Sequence, residues 1–263
     1  MAKVVLITGS NSGIGKALAQ TYYQQGWRVG CVARSKEKLE NTITEIKENF
    51  PRSSGELLPL IADVSDWKAS KKAVDKLLKE WGELHVVICN AGISMRANAA
   101  DTSLDVFHKL MDVNFFGVVH FFKACIDELR KTRGSFVAIS SMQGLFSTQL
   151  RSGYAAAKHA VQGFMDSVRI EEKNVHVLTV SPGFVKTNVA VNALLADGTQ
   201  KGSSDKAIES GLDPNVVAKK IAVAIRKRKR DLYPAGFKEK FALFLSKVSP
   251  KLLDKILRSV SVT

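Results

Sequence analysis

The feature that most constrains this chain is a repeated change of hydrophobic rhythm. Short runs rich in β-branched residues, at 3–8 (KVVLIT), 28–33 (RVGCVA), 57–62, 85–90 (HVVICN), 135–140 (SFVAIS) and 175–181 (VHVLTVS), read as strands. Helical periodicity fills the intervals at 14–25, 36–49, 66–81, 104–131 and about 153–172. These strands are apolar on both faces and each is followed by a helix. Such strands need cover on both sides, which a parallel sheet between two helical layers provides. Right-handed crossovers then make the sheet doubly wound. With 263 residues, the chain suits one α/β domain over 1–234 followed by a helical extension over 235–263. Between them, 188–211 lapses into Asn, Ala, Gly, Ser and Thr and reads as a mobile loop. Pro214 opens a helix to about Lys227, and 231–233 offers a last short strand.

The net charge of +14 would suit a nucleic-acid partner if it were spread over the fold. It is not: residues 216–263 hold 13 Lys and Arg against 3 Asp and Glu, which is +10 of the total. The charge belongs to the tail, no base-reading motif accompanies it, and no nucleic acid is expected. Cys31, Cys89 and Cys125 are sparse, odd in number and without metal-ligand spacing. They read as reduced core thiols, with no metal, in the cytoplasm. The first strand begins at once, leaving no signal peptide to expect, and no apolar run reaches membrane-spanning length.

After the first strand comes Thr8-Gly9-Ser10-Asn11-Ser12-Gly13-Ile14-Gly15. Glycines permit a tight turn, bring backbone N–H groups close to a pyrophosphate, and aim a helix N-terminus at it. The spacing G-x3-G-x-G differs from the common fingerprint G-x-G-x-x-G. Sites that bind NAD place an acid after the second strand to hold the ribose 2′-hydroxyl. Here that strand ends in Arg34-Ser35, which suits a 2′-phosphate, so the expected cofactor is NADP(H).

Further along, Tyr154 and Lys158 stand four residues apart, on one face of a helix. A phenol holds its proton tightly at neutral pH, and a neighbouring ammonium lowers that hold. Ser141 precedes Tyr154 by thirteen residues at the end of a strand, where its hydroxyl can meet a substrate oxygen; Ser140 beside it is the competing choice. Asn114 sits within an apolar run, where an amide must find partners. His159 lies off the active face and reads as structural.

Together the Thr8–Gly15 turn, Asn114, Ser141 and Tyr154-Ala-Ala-Ala-Lys158 resemble the short-chain dehydrogenase/reductase family. The resemblance covers about 3–230 and implies a Rossmann-like fold and an Asn-Ser-Tyr-Lys catalytic tetrad. It implies adenine contacts at Asp63 and Val64, a ribose-side wall at Asn90, Ala91 and Gly92, and nicotinamide-side contacts at Pro182, Gly183, Val185 and Thr187. It places Asn114 in a proton relay near the lysine. Residues 138–144, 154–159 and 187–193 with 196–198 look closest to family member 7B-like reductases, relatives of 11β-hydroxysteroid dehydrogenases. Such proteins are commonly anchored by an N-terminal helix, from which this chain departs by starting at the first strand.

Gln143, Leu145, Phe146, Leu150, Phe184, Val189 and Leu194 are the candidates for a substrate pocket, an apolar set with one amide. It suits a lipophilic ketone or secondary alcohol. The same tetrad would serve a 3-oxoacyl-thioester reductase, and a non-catalytic cofactor-binding scaffold is the alternative without turnover. In the extension, Phe237, Phe241, Phe244, Leu245 and Val248 recur at helical spacing; Pro250 breaks the run, and Leu252, Leu253, Ile256, Leu257 and Val260 mark a second helix. Peripheral contact with anionic lipid is one expectation for this stripe, and packing against the domain or a second subunit is the other. The resemblance implies a homodimer or homotetramer through 104–131 and 153–172.

Overall fold

The computed structural model describes residues 2–259. Among them, seven strands make one parallel sheet: β1 (Val4–Thr8), β2 (Arg28–Ala33), β3 (Glu56–Ile61), β4 (Val86–Cys89), β5 (Ser135–Ile139), β6 (His176–Val180) and β7 (Asp231–Leu232). Their order is β3-β2-β1-β4-β5-β6-β7. The chain winds outward from β1, then returns to lay β4 on its other edge. That reversal opens a crevice beyond the carboxyl ends of β1 and β4, the place where doubly wound sheets bind ligands.

The helices are α1 (Gly13–Gln24), α2 (Lys36–Asn49), α3 (Trp67–Trp81), α4 (Leu104–Met111), α5 (Gly117–Thr132), α6 (Ser152–Glu171), α7 (Lys206–Glu209), α8 (Pro214–Arg226), α9 (Phe237–Val248) and α10 (Pro250–Ser259). Side chains alternate across each strand, so one sheet feeds two cores. Val5 and Ile7 meet Leu18, Leu39 and Ile221 from α1, α2 and α8. Val4 and Leu6 share the opposite core with Leu77, Phe121 and Met165 from α3, α5 and α6. The N-termini of α2, α3 and α8 are fixed by Ser35, Asp66 and Asp213, whose side chains accept from backbone N–H groups two or three residues on. Gly82, at φ 75°, closes α3 in the left-handed region.

Two segments differ from expectation. The helix read over 104–131 is broken by a π-turn at Asp112–Phe116, between α4 and α5. Asn114 Nδ2 donates to the carbonyl of Leu110, four residues back, taking the acceptor that regular α-helix would give to its own backbone. The stretch 188–211 is packed onto the sheet end instead of hanging free. Ala193 and Leu194 are buried, Leu194 bridges Met95 and Gln200, and Asp205 is enclosed. Polar composition hid a few apolar anchors and one deeply held carboxylate.

Pro250 does end α9, but it also opens α10, as its fixed φ suits a first turn. Both helices fold back on the domain: Leu245 and Leu253 are buried, and Gln149 Nε2 donates to the carbonyls of Leu257 and Arg258. Val260 lies outside the described residues.

Candidate active site

The glycine turn is built by close approach. Gly9 has φ 66°, and a Cβ there would stand 2.9 Å from Ala91 Cα. A Cβ on Gly15 would stand 2.1 Å from the Gly9 carbonyl oxygen, so α1 starts hard against the turn only because both residues lack side chains. Gly13, at φ 52°, faces Thr187 across the crevice. Asn90 locks the turn to β4: its Nδ2 donates to the Thr8 and Gly9 carbonyls, while the Thr8 hydroxyl accepts from the Asn90 and Ala91 N–H groups.

These residues open on a cavity of about 1190 Å³. It is larger than most small-ligand pockets, with room for a dinucleotide beside a substrate. Gly9, Asn11, Ser12, Gly13 and Ile14 line it, as do Asn90, Ala91, Gly92, Pro182, Gly183, Val185 and Thr187. Ser10 and Gly15 do not. The Ser10 hydroxyl is buried and donates to the Val32 carbonyl, and Gly15 is spent on the contact with Gly9.

At the far end of β2, Arg34 is exposed and lies 3.6 Å from Asp63. Burial raises the Asp63 pKa, but hydrogen bonds from Ser65 and the charge of Arg34 outweigh it and hold the carboxylate below its ordinary value. Val64 lines the same wall. Ser35 accepts from the Lys38 N–H, and Lys38 itself lines the cavity. That lysine lay one helical turn beyond the motif and was not singled out in the sequence.

The chemical end is formed where α6 crosses β5. Tyr154 lines the cavity, and Lys158 Nζ stands 5.7 Å from its ring centroid. Burial pushes the Tyr154 phenol up, and a hydrogen bond with Ser141 and the charge of Arg96 pull it back in part. Lys158 is 3% exposed and donates to the Ile139 carbonyl at 2.9 Å. Burial pushes its ammonium down to about 8. The Lys158 charge is therefore held by β5, where the sequence had suggested direct service to the phenol. Ser141, not Ser140, faces Tyr154; the Ser140 hydroxyl donates to the Lys158 carbonyl and accepts from Gln162. Asn114 is fully buried, bonded to Ile93 and Leu110. A Cβ on Gly92 would meet its Oδ1 at 2.7 Å and Lys158 Nζ at 3.5 Å, so the amide and the ammonium share one corner. His159 bonds the Ala155 carbonyl one turn back.

Of the pocket candidates, Gln143, Phe146, Phe184, Val189 and Leu194 line the cavity, and Leu145 and Leu150 do not. Leu150 sits at φ 61° and turns the chain into α6. The Gln143 amide is already paired with Thr148, which leaves this wall more apolar than the sequence implied. The rest of the wall comes from Phe237, Phe241, Leu245, Leu253, Ile256 and Leu257 of α9 and α10. In the sequence these residues form an apolar stripe in the extension, with nothing to link them to the site. Only the return of the chain over Pro182 and Gly183 reveals it: Glu239 accepts from the Phe184 N–H and crowds Gly183.

The glycine turn at a topological switch point, with Tyr154 and Lys158 on the adjoining helix, defines a dinucleotide-linked oxidoreductase of Rossmann-like fold. Residues 3–197 match the family described as short chain dehydrogenase, and the chain belongs to that family. Among its relatives, Dehydrogenase/reductase SDR family member 7B of Xenopus tropicalis is 37% identical over 254 residues, which are 95% of this chain and 82% of that protein. An alcohol dehydrogenase of Thermococcus sibiricus, solved with 5-hydroxy-NADP, superimposes with a TM-score of 0.78 at 26% identity, over 90% of this chain and 96% of its own. A short chain dehydrogenase/reductase of Burkholderia phymatum, solved with NAD, shares the fold with a TM-score of 0.83 at 21% identity, over 95% of each chain.

Proposed function

We propose that this chain is an NADPH-dependent reductase of lipophilic ketones, or the corresponding dehydrogenase of secondary alcohols, with Tyr154 as general acid and base. The observation that carries the reading is the meeting of Tyr154, Ser141 and Lys158 at the point where the glycine-lined crevice opens into an apolar chamber. The residues present fit a dinucleotide, because Gly9 and Gly13, both at positive φ, line the crevice without side chains and leave the N-terminus of α1 open to it. Gly9 to Ile14 would hold the pyrophosphate, Asp63 and Val64 the adenine, and Arg34, Ser35 and Lys38 a 2′-phosphate. When bound, the dinucleotide supplies or accepts the hydride.

The chain's own residues handle the oxygen and the proton. The Ser141 hydroxyl donates to the substrate oxygen and orients it toward Tyr154. Tyr154 Oη then gives up its proton as negative charge develops on that oxygen, or takes it back in the reverse direction. Lys158 and Asn114 keep positive charge and a satisfied amide beside that step. The apolar wall of Phe146, Phe184, Leu245 and Leu253 excludes water and selects a bulky substrate. A non-catalytic scaffold would have no chemical need for this constellation.

The same reading divides the chain into a catalytic domain over 1–234 and an extension over 235–263 that walls the chamber. It also includes peripheral membrane contact. On α9 and α10, Phe237, Phe241, Phe244, Val248, Leu252 and Ile256 are exposed, with basic residues around them that suit an anionic bilayer. No helix among the described residues is long and apolar enough to cross a membrane. Three buried free cysteines support a cytoplasmic setting. Leu104, Phe116 and Ile170 are exposed on or beside α4, α5 and α6 and support a homodimer or homotetramer through those helices.

The test is cofactor oxidation against steroid, retinal, quinone, acyl-ketone and 3-oxoacyl substrates. Faster turnover with NADPH than with NADH on a lipophilic ketone is the expected result. Preference for NADH overturns the cofactor assignment, and preference for 3-oxoacyl thioesters overturns the substrate assignment.

A further inference from the structure

A charged cluster that the tetrad does not use lies beside Tyr154, on the wall of the same cavity. Arg151 caps the start of α6, and Tyr154 and Lys158 follow it at intervals of three and four residues, the latter two on one face of the helix. The Arg151 guanidinium carbon stands 5.9 Å from the Tyr154 ring centroid, as near as Lys158 on the following turn. Arg96, on the loop after β4, and Lys201 both bond the Asp205 carboxylate, and Arg151 Nη2 lies 3.9 Å from it. Arg96 also donates to the Met95 carbonyl and Arg151 to the Ser94 hydroxyl. The side chains of Arg96, Arg151 and Asp205 are 4%, 8% and 2% exposed.

As a structural device this cluster is poor. Three cations share a single carboxylate, which leaves an excess of two positive charges in or beside a buried space, and an apolar set of equal volume would serve stability as well or better. The Nε atoms of both arginines are buried without a hydrogen-bond partner, an uncompensated desolvation. What the arrangement does provide is positive potential at a phenol that burial pushes up and that the charge of Arg96 pulls back in part.

We propose that Arg96 and Arg151 are positioning residues for the proton transfer, acting through Tyr154, with Asp205 fixing both guanidiniums from the loop between β6 and α8. This rests on the reading of Tyr154 as the acid and base. The charged and titratable groups on the elements that form this end of the cavity are Arg151 before α6 and Lys158 on it, Arg96 after β4, Cys89 on β4, Lys109 on α4, Lys201 and Asp205 in the loop, Lys206 on α7, and Lys238 with Glu239 on α9. Among these, the two arginines are the cations that no change in working pH can neutralise. A full charge about 6 Å away in a protein interior moves a titration by about one to two pH units.

The experiment follows Tyr154 ionisation in two ways. One is the pH profile of kcat/KM for NADP⁺-linked oxidation of the fastest secondary alcohol in a panel. The other is ultraviolet difference titration of the phenolate, with the Tyr154→Phe spectrum subtracted, which needs no substrate. Arg151→Met and Arg96→Met are each expected to raise the apparent pKa by about one unit, and to slow oxidation at pH 7 about tenfold. Arg151→Lys and Arg96→Lys restore most of the wild-type profile. Asp205→Asn removes the opposing negative charge and is expected to lower the apparent pKa. If the methionine variants do not fold, the lysine variants and Asp205→Asn decide through these signs. An unchanged apparent pKa in every folded variant, or an upward shift in Asp205→Asn, overturns the proposal. If Tyr154→Phe itself keeps turnover, the underlying assignment falls; if it loses turnover while the arginine variants keep the wild-type profile, this inference alone falls.

Discussion

Replacing Lys158 with methionine is expected to stabilise the fold at neutral pH while removing its chemistry. Lys158 is 3% exposed, and burial pushes its ammonium from 10.5 down to about 8, with Cys89 opposing slightly. The unfolded chain keeps this proton up to about pH 10.5, whereas the folded chain gives it up near 8. Stability therefore carries the full penalty below pH 8 and regains it as pH rises from there to 10.5. At about 1.4 kcal/mol per pH unit, a gap of about 2.5 units corresponds to about 3 kcal/mol. Methionine fills similar space without charge but loses the bond to the Ile139 carbonyl, which offsets about 1 kcal/mol. The net gain is about 2 kcal/mol at pH 6 to 7, or about 5 °C in Tm for a chain of this size. Above pH 10.5 the sign reverses, and the variant is about 1 kcal/mol less stable. Urea unfolding of both proteins across pH 6 to 10.5 measures this. A variant less stable than wild type at pH 6 would refute the claim that burying the Lys158 charge opposes folding.

Other perturbations probe the ends of the cavity. Arg34→Ala is expected to raise KM for NADPH ten- to a hundredfold with little change for NADH, since one charge-assisted phosphate contact contributes about 1.5–3 kcal/mol; equal effects on both cofactors would remove Arg34 from the 2′-phosphate site. Phe237→Glu with Phe244→Glu is expected to abolish flotation with vesicles containing anionic lipid, because both rings are exposed on α9. Failure of the unaltered chain to float would end the membrane reading.

The parallel, doubly wound sheet and the glycine turn were legible in the sequence because each rests on local rhythm or on a backbone position only glycine tolerates. Asn114 was visible as a polar residue in an apolar run, yet the π-turn it induces was not. That turn depends on which carbonyl the amide captures. Arg96, Arg151 and Asp205 were invisible for a different reason: their residue numbers are far apart, and only folding of the 188–211 stretch brings Asp205 to the arginines. The same holds for α9 and α10. Their apolar stripe was plain, but whether it met lipid, a partner or the chain's own cavity depended on a return path that no local pattern encodes. Ser10 shows the converse, a motif member whose hydroxyl is consumed inside the fold.

The central claim is that Tyr154 carries the proton. Tyr154→Phe removes one hydroxyl from a ring that keeps its packing against Met95 and Leu194, so the fold and the cofactor crevice should persist. NADPH binding, read by fluorescence titration, is expected to stay within about twofold of wild type, and ketone reduction to fall by about a thousandfold or more, in the upper part of the usual range for a lost acid–base group because the oxygen-binding hydroxyl goes with it. Turnover near the wild-type rate with NADPH still bound would contradict it.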